Sequence, residues 1–207
     1  MRAPSSPSSP VSIRRVPSAL LIVYALLLAL GLGLGSVYWT INGDPPFGSL
    51  RLGPWQSWPK LGSPEADPYM RAILARRGDV PLATGEGLDF SARIDSDGRP
   101  LDSACSYRIG TVAPIARVWT LTLYDRDGRL PTTQLGRQGF TSDEVLRDTQ
   151  NRFTIALSRD LQPGNWLQLP ASGSFMVVLR LYDPPGAAGA NLDQSDFPTI
   201  QRIGCAS

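Results

Sequence analysis

Histidine is absent from all 207 residues. Without imidazole there is no Ser-His-Asp or Cys-His relay and no zinc site that depends on it. The usual proton shuttle near neutral pH is missing as well. Lysine is almost absent, since Lys60 alone accompanies the arginines among 20 basic residues. No basic cluster stands out and the net charge is only +2, so nucleic-acid binding finds no support. Cysteine occurs twice, as Cys105 and Cys205, with no C-x-x-C proximity. Charge itself is missing from Val16 to Gly43.

That uncharged run is the most informative stretch. Its heart, Ala19 to Val37, is long enough to cross a bilayer as a helix, which takes roughly 20 apolar residues. Arg2, Arg14 and Arg15 precede it, and no basic residue follows until Arg51. Positive loops stay inside, so the N-terminus is expected in the cytoplasm and the rest outside. Pro17 suits the first helical position, and Tyr38 and Trp39 suit the far interface. The rival is a cleaved signal peptide, whose core would span about 7–15 residues before an Ala-x-Ala site. Here the core is longer, and Leu34-Gly35-Ser36 is the nearest imitation of such a site. No cysteine lies near the run to carry a lipid, and Pro17 spoils a twin-arginine signal. The division expected is a disordered cytoplasmic tail (1–15), a transmembrane anchor (16–41), an irregular linker (42–66) and an extracytoplasmic domain (67–207). Gly31 and Gly35, flanked by Ala25, Ala29 and Gly33, form a small-residue face through which two anchors can associate into a homo-oligomer. The plain alternative is that glycine is common in membrane helices. These glycines are no nucleotide loop, since no strand precedes them, and nothing else calls for a cofactor.

Beyond the anchor the chain is long enough to bury a core. Trp55 and Trp58 sit in the Gly/Pro-rich linker, either docked on the domain or lying at the membrane surface. A helix is expected from Asp67 as cap, Pro68 as first residue and Gly78 as terminator, with Met70, Ile73 and Leu74 facing inward. Then the pattern changes to period two: Leu88/Phe90/Ala92, Cys105/Tyr107/Ile109, Trp119/Leu121/Leu123, Phe153/Ile155/Leu157 and Phe175/Val177/Leu179/Leu181. Turns are expected at Asp95–Gly98, Asp125–Gly128 and Gln162–Asn165. The Thr141-x-x-Glu144 capping box predicts a second short helix. Short strands with regular turn signals argue for an antiparallel sandwich or barrel.

Outside the cytoplasm an even cysteine count points to a Cys105–Cys205 disulfide, which would pin the terminal strand to an early one. The remaining chemical candidates are weak. Ser57-Trp58-Pro59-Lys60 matches S-x-x-K, but that chemistry needs a helical turn, and the companion K-T-G would need a second lysine. Asp125-x-Asp127-Gly128 could open a calcium loop, yet the later ligands are missing, and a hairpin turn explains it. Asn165-Trp166 has the make-up of a sugar-stacking pair, although a Trp entering a strand more often buries its ring. Arg108, Arg117 and Arg180 could form an anion-binding face, or be solvated and paired with aspartates. Without histidine, paired carboxylates are the one common hydrolytic scheme left, and no spacing singles out a pair.

Three segments then carry a family resemblance: VWTLTLYDRDGRL, NRFTIAL and GNWLQLPASGSFMVVLRLYDP. In this order and spacing, over roughly Asp67 to Gln201, the chain resembles the Domain of Unknown Function 1214 family. The resemblance implies a jelly-roll-like β-sandwich. It also implies the short, anchored bacterial subgroup, in which a cysteine before the Tyr strand and another near the C-terminus recur. Many members carry a second β domain, whose place the anchor takes here. No activity comes with the family. The expectation is therefore a single-pass inner-membrane protein with a periplasmic domain, acting as a non-enzymatic module that binds an envelope protein or glycan. The alternative is a carboxylate-dependent hydrolase of envelope polymers.

Overall fold

The structure is a computed structural model describing residues 17–45, 47–78, 80–83, 85–111, 116–184 and 192–205. The tail 1–15, with Arg2, Arg14 and Arg15, lies outside the described residues.

The uncharged run forms α1 (Ser18–Asn42), none of whose residues is buried. It is a helix long and apolar enough to cross a membrane. Pro17 is the N-cap rather than the first helical residue, with extended ψ of 131°. Its carbonyl accepts the N–H groups of Leu20 and Leu21. Ser36, Thr40 and Asn42 donate back to the carbonyls of Gly33, Ser36 and Tyr38, so each side chain spends a donor within the helix.

The stretch 42–66 is not the irregular linker its Gly/Pro content suggests. Strands β1 (Leu50–Leu52) and β2 (Trp55–Ser57) pair as a hairpin, and β2 pairs with β3 (Gly87–Ala92). Gly53, at φ +61°, makes the turn. Trp55 is wholly buried and its Nε1 donates to the Pro198 carbonyl at 2.7 Å. Burial of so large a ring outweighs weak local propensity for a strand. Next, α2 (Pro68–Arg77) follows its sequence signals closely. Asp67 accepts the N–H groups of Tyr69 and Met70, Gly78 closes the helix at φ +69°, and Met70 and Ile73 are buried.

The remaining strands are β4 (Cys105–Thr111), β5 (Val118–Asp125), β6 (Gly139–Thr141), β7 (Phe153–Ser158), β8 (Asn165–Gln168), β9 (Phe175–Tyr182) and β10 (Thr199–Cys205). They build two sheets, a six-stranded one ordered β1-β2-β3-β9-β5-β6 and a four-stranded one ordered β10-β4-β7-β8. The fold is mainly β, a sandwich closed by apolar residues of both inner faces. Across the layers Trp119 meets Phe153 at 4.9 Å and Tyr107 meets Phe175 at 5.6 Å. All pairs are antiparallel except β7–β8, which is parallel. Cys105 and Cys205 are register partners at the ends of β4 and β10 and are joined by the disulfide. A register shift between Arg202 and Gly204 leaves Ile203 exposed instead of in the core.

The second helix expected from Thr141 does not form. Thr141 is the last residue of β6, paired with Thr120, and only one turn follows. The box contacts exist, since Glu144 accepts from the Thr141 N–H and hydroxyl. The chain then pins Val145 in the core and bridges Arg147 to Phe153, which leaves no length for a helix.

Three hairpin turns share one chemistry: Asp95–Arg99, Asp125–Arg129 and Asp148–Arg152. In each, the Asp Oδ1 accepts two N–H groups, from the residues two and four further on. The fourth residue has positive φ: Gly98 at +83°, Gly128 at +77° and Asn151 at +60°. The Asp125 carboxylate is thereby committed to backbone amides, which makes this stretch a turn rather than the start of a calcium loop.

Candidate functional site

Strand alternation sends one face of the four-stranded sheet outward. Register places Gln201, Arg108, Ala156 and Trp166 in one row across β10, β4, β7 and β8. Neighbouring strands lie about 4.8 Å apart, so Arg108 and Trp166 flank a floor of Ala156 at about 10 Å. Over this face opens a cavity of about 660 Å³ lined by Arg108, Arg147, Arg152, Asp148, Thr154 and Ala156, among others. A second cavity of about 400 Å³ adjoins it, with Trp166, Arg137, Phe140, Leu135, Leu161 and Glu144 in its wall. Leu146, Gln162, Gly164 and Asn165 border both, so the two form one groove.

The groove is cationic at one end. Arg152 is paired with Asp148 at 2.9 Å. Arg147 is held by the Ser142 carbonyl at 3.2 Å and lies over the Phe153 ring at 6.0 Å; its neighbour Asp148 is paired with Arg152, and Arg147 itself makes no ion pair among the described residues. Arg108 is exposed and likewise has no acid partner among them. The other end is apolar, with Leu135, Leu146 and Leu161 exposed around the half-buried Trp166. Arg137 spans the two characters, 4.8 Å over the Phe140 ring and 3.8 Å from Glu144.

Both lining acids are poised to stay ionised. The Arg152 N–H holds Asp148 below the usual carboxylate range against the opposing push of desolvation, and the Arg152 guanidinium and the Gln150 N–H add to the lowering. The Thr141 N–H and hydroxyl do the same for Glu144, with help from Arg137.

Asn165 and Trp166 both border the groove, in different roles. Asn165 is buried: its Oδ1 accepts the Leu146 N–H at 2.7 Å, and its Nδ2 donates to the carbonyls of Leu146 and Thr154 at 2.9 and 3.0 Å. Both amide hydrogens are thus used inside the protein, and the side chain holds the rim segment 142–147 against β8. Trp166 donates its Nε1 to the Ser158 carbonyl at 3.2 Å, which lays the indole towards β7 with part of the ring open.

The three arginines read as one anion face are not brought together. Arg108 faces the groove, whereas Arg180 is on the six-stranded sheet against the Tyr124 hydroxyl at 3.1 Å, and Arg117 lies 3.6 Å from Asp183. Alternation alone could not show that β4 and β9 belong to different sheets. Of Arg147 and Arg152, which replace them, only Arg152 carries a signal in the sequence, as the last residue of the third copy of the Asp-x-x-Gly/Asn-Arg pattern. Ser57 is on β2 with a buried Oγ, and Lys60 is exposed, so S-x-x-K has no helical turn to work on. Gly31 and Gly35 lie on open α1 surface, where an added Cβ would meet nothing within 4 Å. No group of acids and cysteines among the described residues is disposed to hold a metal ion.

Residues 86–186 match the family model described as a protein of unknown function, DUF1214. The VPA0106 protein from Vibrio parahaemolyticus is similar in structure, with a TM-score of 0.59 at 18% identity over 94% of this chain and 47% of that one. This likeness shows the fold alone. An uncharacterized protein from Burkholderia cenocepacia aligns at a TM-score of 0.43 and 16% identity, over 86% of this chain and 52% of that one. The chain spans about half the length of these solved structures. No curated protein matches it.

Proposed function

From a DUF1214 β-sandwich carried behind an apolar helix, we propose a membrane-anchored accessory module on the outer side of a bacterial inner membrane, N-terminus inside. Its task is binding, and its occupant is a partner protein presenting an acidic, partly apolar segment. The groove carries this reading: Arg108 and Arg147 without acid partners at one end, Trp166 with Leu135, Leu146 and Leu161 at the other. Trp and Arg are the side chains that dominate protein interfaces, and flanking leucines exclude water around them. The disulfide supports an oxidising compartment, because such bonds persist there and not in the cytosol. α1 supports tethering, and its Gly31/Gly35 face offers a route to a homo-oligomer.

The hydrolase reading needs a general acid held protonated near neutral pH. Asp148 and Glu144, the acids lining the groove, are pushed the opposite way. A glycan ligand would use the Trp166 face but leaves the three leucines without a role.

The test is photo-crosslinking in intact cells from positions 154 and 161 in the groove, with position 120 on the six-stranded sheet as control. A discrete adduct with another envelope protein, formed only from the groove positions and lost in the Arg108→Glu/Arg147→Glu double variant, is expected. Self-adducts alone would overturn the reading, and adducts sensitive to glycosidases would replace the protein partner with a glycan.

A further inference from the structure

We propose that the domain does not hang on a loose tether but lies against the membrane in one pose, with the α1–α2 junction seated on the phosphates of anionic lipid headgroups. The inference rests on the reading of α1 as membrane-spanning and goes beyond it.

Three segments converge where α1 ends. Arg77, in the last turn of α2, donates to the Gly43 carbonyl at 2.7 Å and to Asp44 Oδ1 at 3.1 Å. Arg93, just past β3, takes the other oxygen of Asp44 at 2.9 Å. Trp58 Nε1 donates to the Pro45 carbonyl at 3.0 Å. Gly48 lies against α2, where an added Cβ would meet Met70 Cε at an ordinary contact distance of 3.4 Å. A flexible linker makes no such contacts. This joint ties the helix end to α2, to the β2–α2 segment and to the end of β3 at once.

The side chains around the joint suit the interfacial layer. Trp39 is 84% exposed, Tyr38 66%, Phe47 64% and Val80 94%. Aromatic rings concentrate at the level of the headgroups, where one part of the ring meets chains and another meets water. Arg76 stacks over the Tyr38 ring at 5.9 Å and has no acid partner among the described residues. A guanidinium at the depth of Tyr38, in the last turns of a spanning helix, is level with lipid phosphates. Its planar fork matches their oxygens, and anionic lipid adds to that attraction. The occupant follows from continuity with α1 and from this uncompensated positive charge.

The experiment uses the full chain in vesicles of phosphatidylcholine, alone or mixed with phosphatidylglycerol. Spin labels are attached through Phe47→Cys, Val80→Cys, Thr154→Cys and Leu28→Cys, one at a time, with the native disulfide left oxidised. Accessibility to oxygen against a water-soluble nickel chelate reports depth. Labels at 47 and 80 are expected at headgroup depth, deeper with phosphatidylglycerol, while the label at 154 stays in water. Arg76→Glu is expected to lose the difference between the two vesicle types, and Arg76→Gln to reduce it. Labels at 47 and 80 as wet as that at 154, with the label at 28 in hydrocarbon, would overturn the apposition and leave the anchor standing. A label at 28 in water would overturn both. Equal depths in the two vesicle types would overturn the assignment to anionic headgroups.

Discussion

Asp95 is the one charged side chain buried among the described residues, and it shows how a turn motif becomes part of the core. Burial pushes its pKa up. The N–H groups of Arg99 and Asp97 and the guanidinium groups of Arg99 and Arg202 outweigh that push and hold it below the ordinary carboxylate value. The sign of the pH effect follows. A carboxyl depressed in the folded state contributes its full stabilisation above its unfolded pKa of 3.8, and loses it as pH falls through the lower folded value. Asp95→Asn is therefore expected to lose about 2–4 kcal/mol at pH 7. Its stability should also depend less on pH below about 4. Urea titrations in detergent at both pH values check this. The sibling turns make a second prediction. Gly128 stands at φ +77°, so Gly128→Ala should cost about 1–2 kcal/mol, whereas Asn151→Gly, at φ +60°, should cost almost nothing. The same titration separates the two. All three turns carry a repeated Asp-x-x-Gly/Asn-Arg; the two with glycine are expected as turns from Asp and Gly alone, whereas the third, with Asn151 in the glycine's place, is not.

Among the elements, β4 and β10 are the pair most dependent on a covalent tie. The bond between Cys105 and Cys205 closes a loop of 100 residues. In the chain-entropy account a loop of that size contributes about 4.7 kcal/mol, so the Cys105→Ser/Cys205→Ser protein should lose roughly that much. The loss should appear as a lower urea midpoint, reproduced in the native protein by reductant. The β1–β2 hairpin was the element hardest to read. Its Gly, Pro and short length signal an irregular segment, and nothing local shows that Trp55 will meet the Pro198 carbonyl, 143 residues away. Trp55→Ala is expected to cost about 3–5 kcal/mol, the range for emptying a buried aromatic site, where a linker residue would cost little. The helix expected at Thr141 failed for the opposite reason: its capping box was real, but the chain beyond it was already claimed by the core and by the next turn.

For the whole molecule, the groove depends on what the two sheets and their connecting segments bring near each other. Arg108, Arg147, Arg152 and Trp166 come from β4, the rim, a hairpin and β8, and only their meeting makes a groove with a cationic and an apolar end. Asn165 holds that rim in place. Asn165→Leu is expected to free the 142–147 segment, which hydrogen exchange at Leu146 would report as lost protection with the sheet amides unchanged.

By itself the sequence determined what repeats along the chain. An uncharged run of membrane length, a capped helix, alternating strands, a cysteine pair and Asp-led turns each follow from neighbours close in number, because propensity, capping and periodicity act locally. Only the tertiary structure decided which strands share a sheet, that β7 and β8 run parallel, that a supposed linker is an edge hairpin, and which arginines face one another. Those outcomes depend on burying large side chains against partners far along the chain, and register between distant strands leaves no local trace.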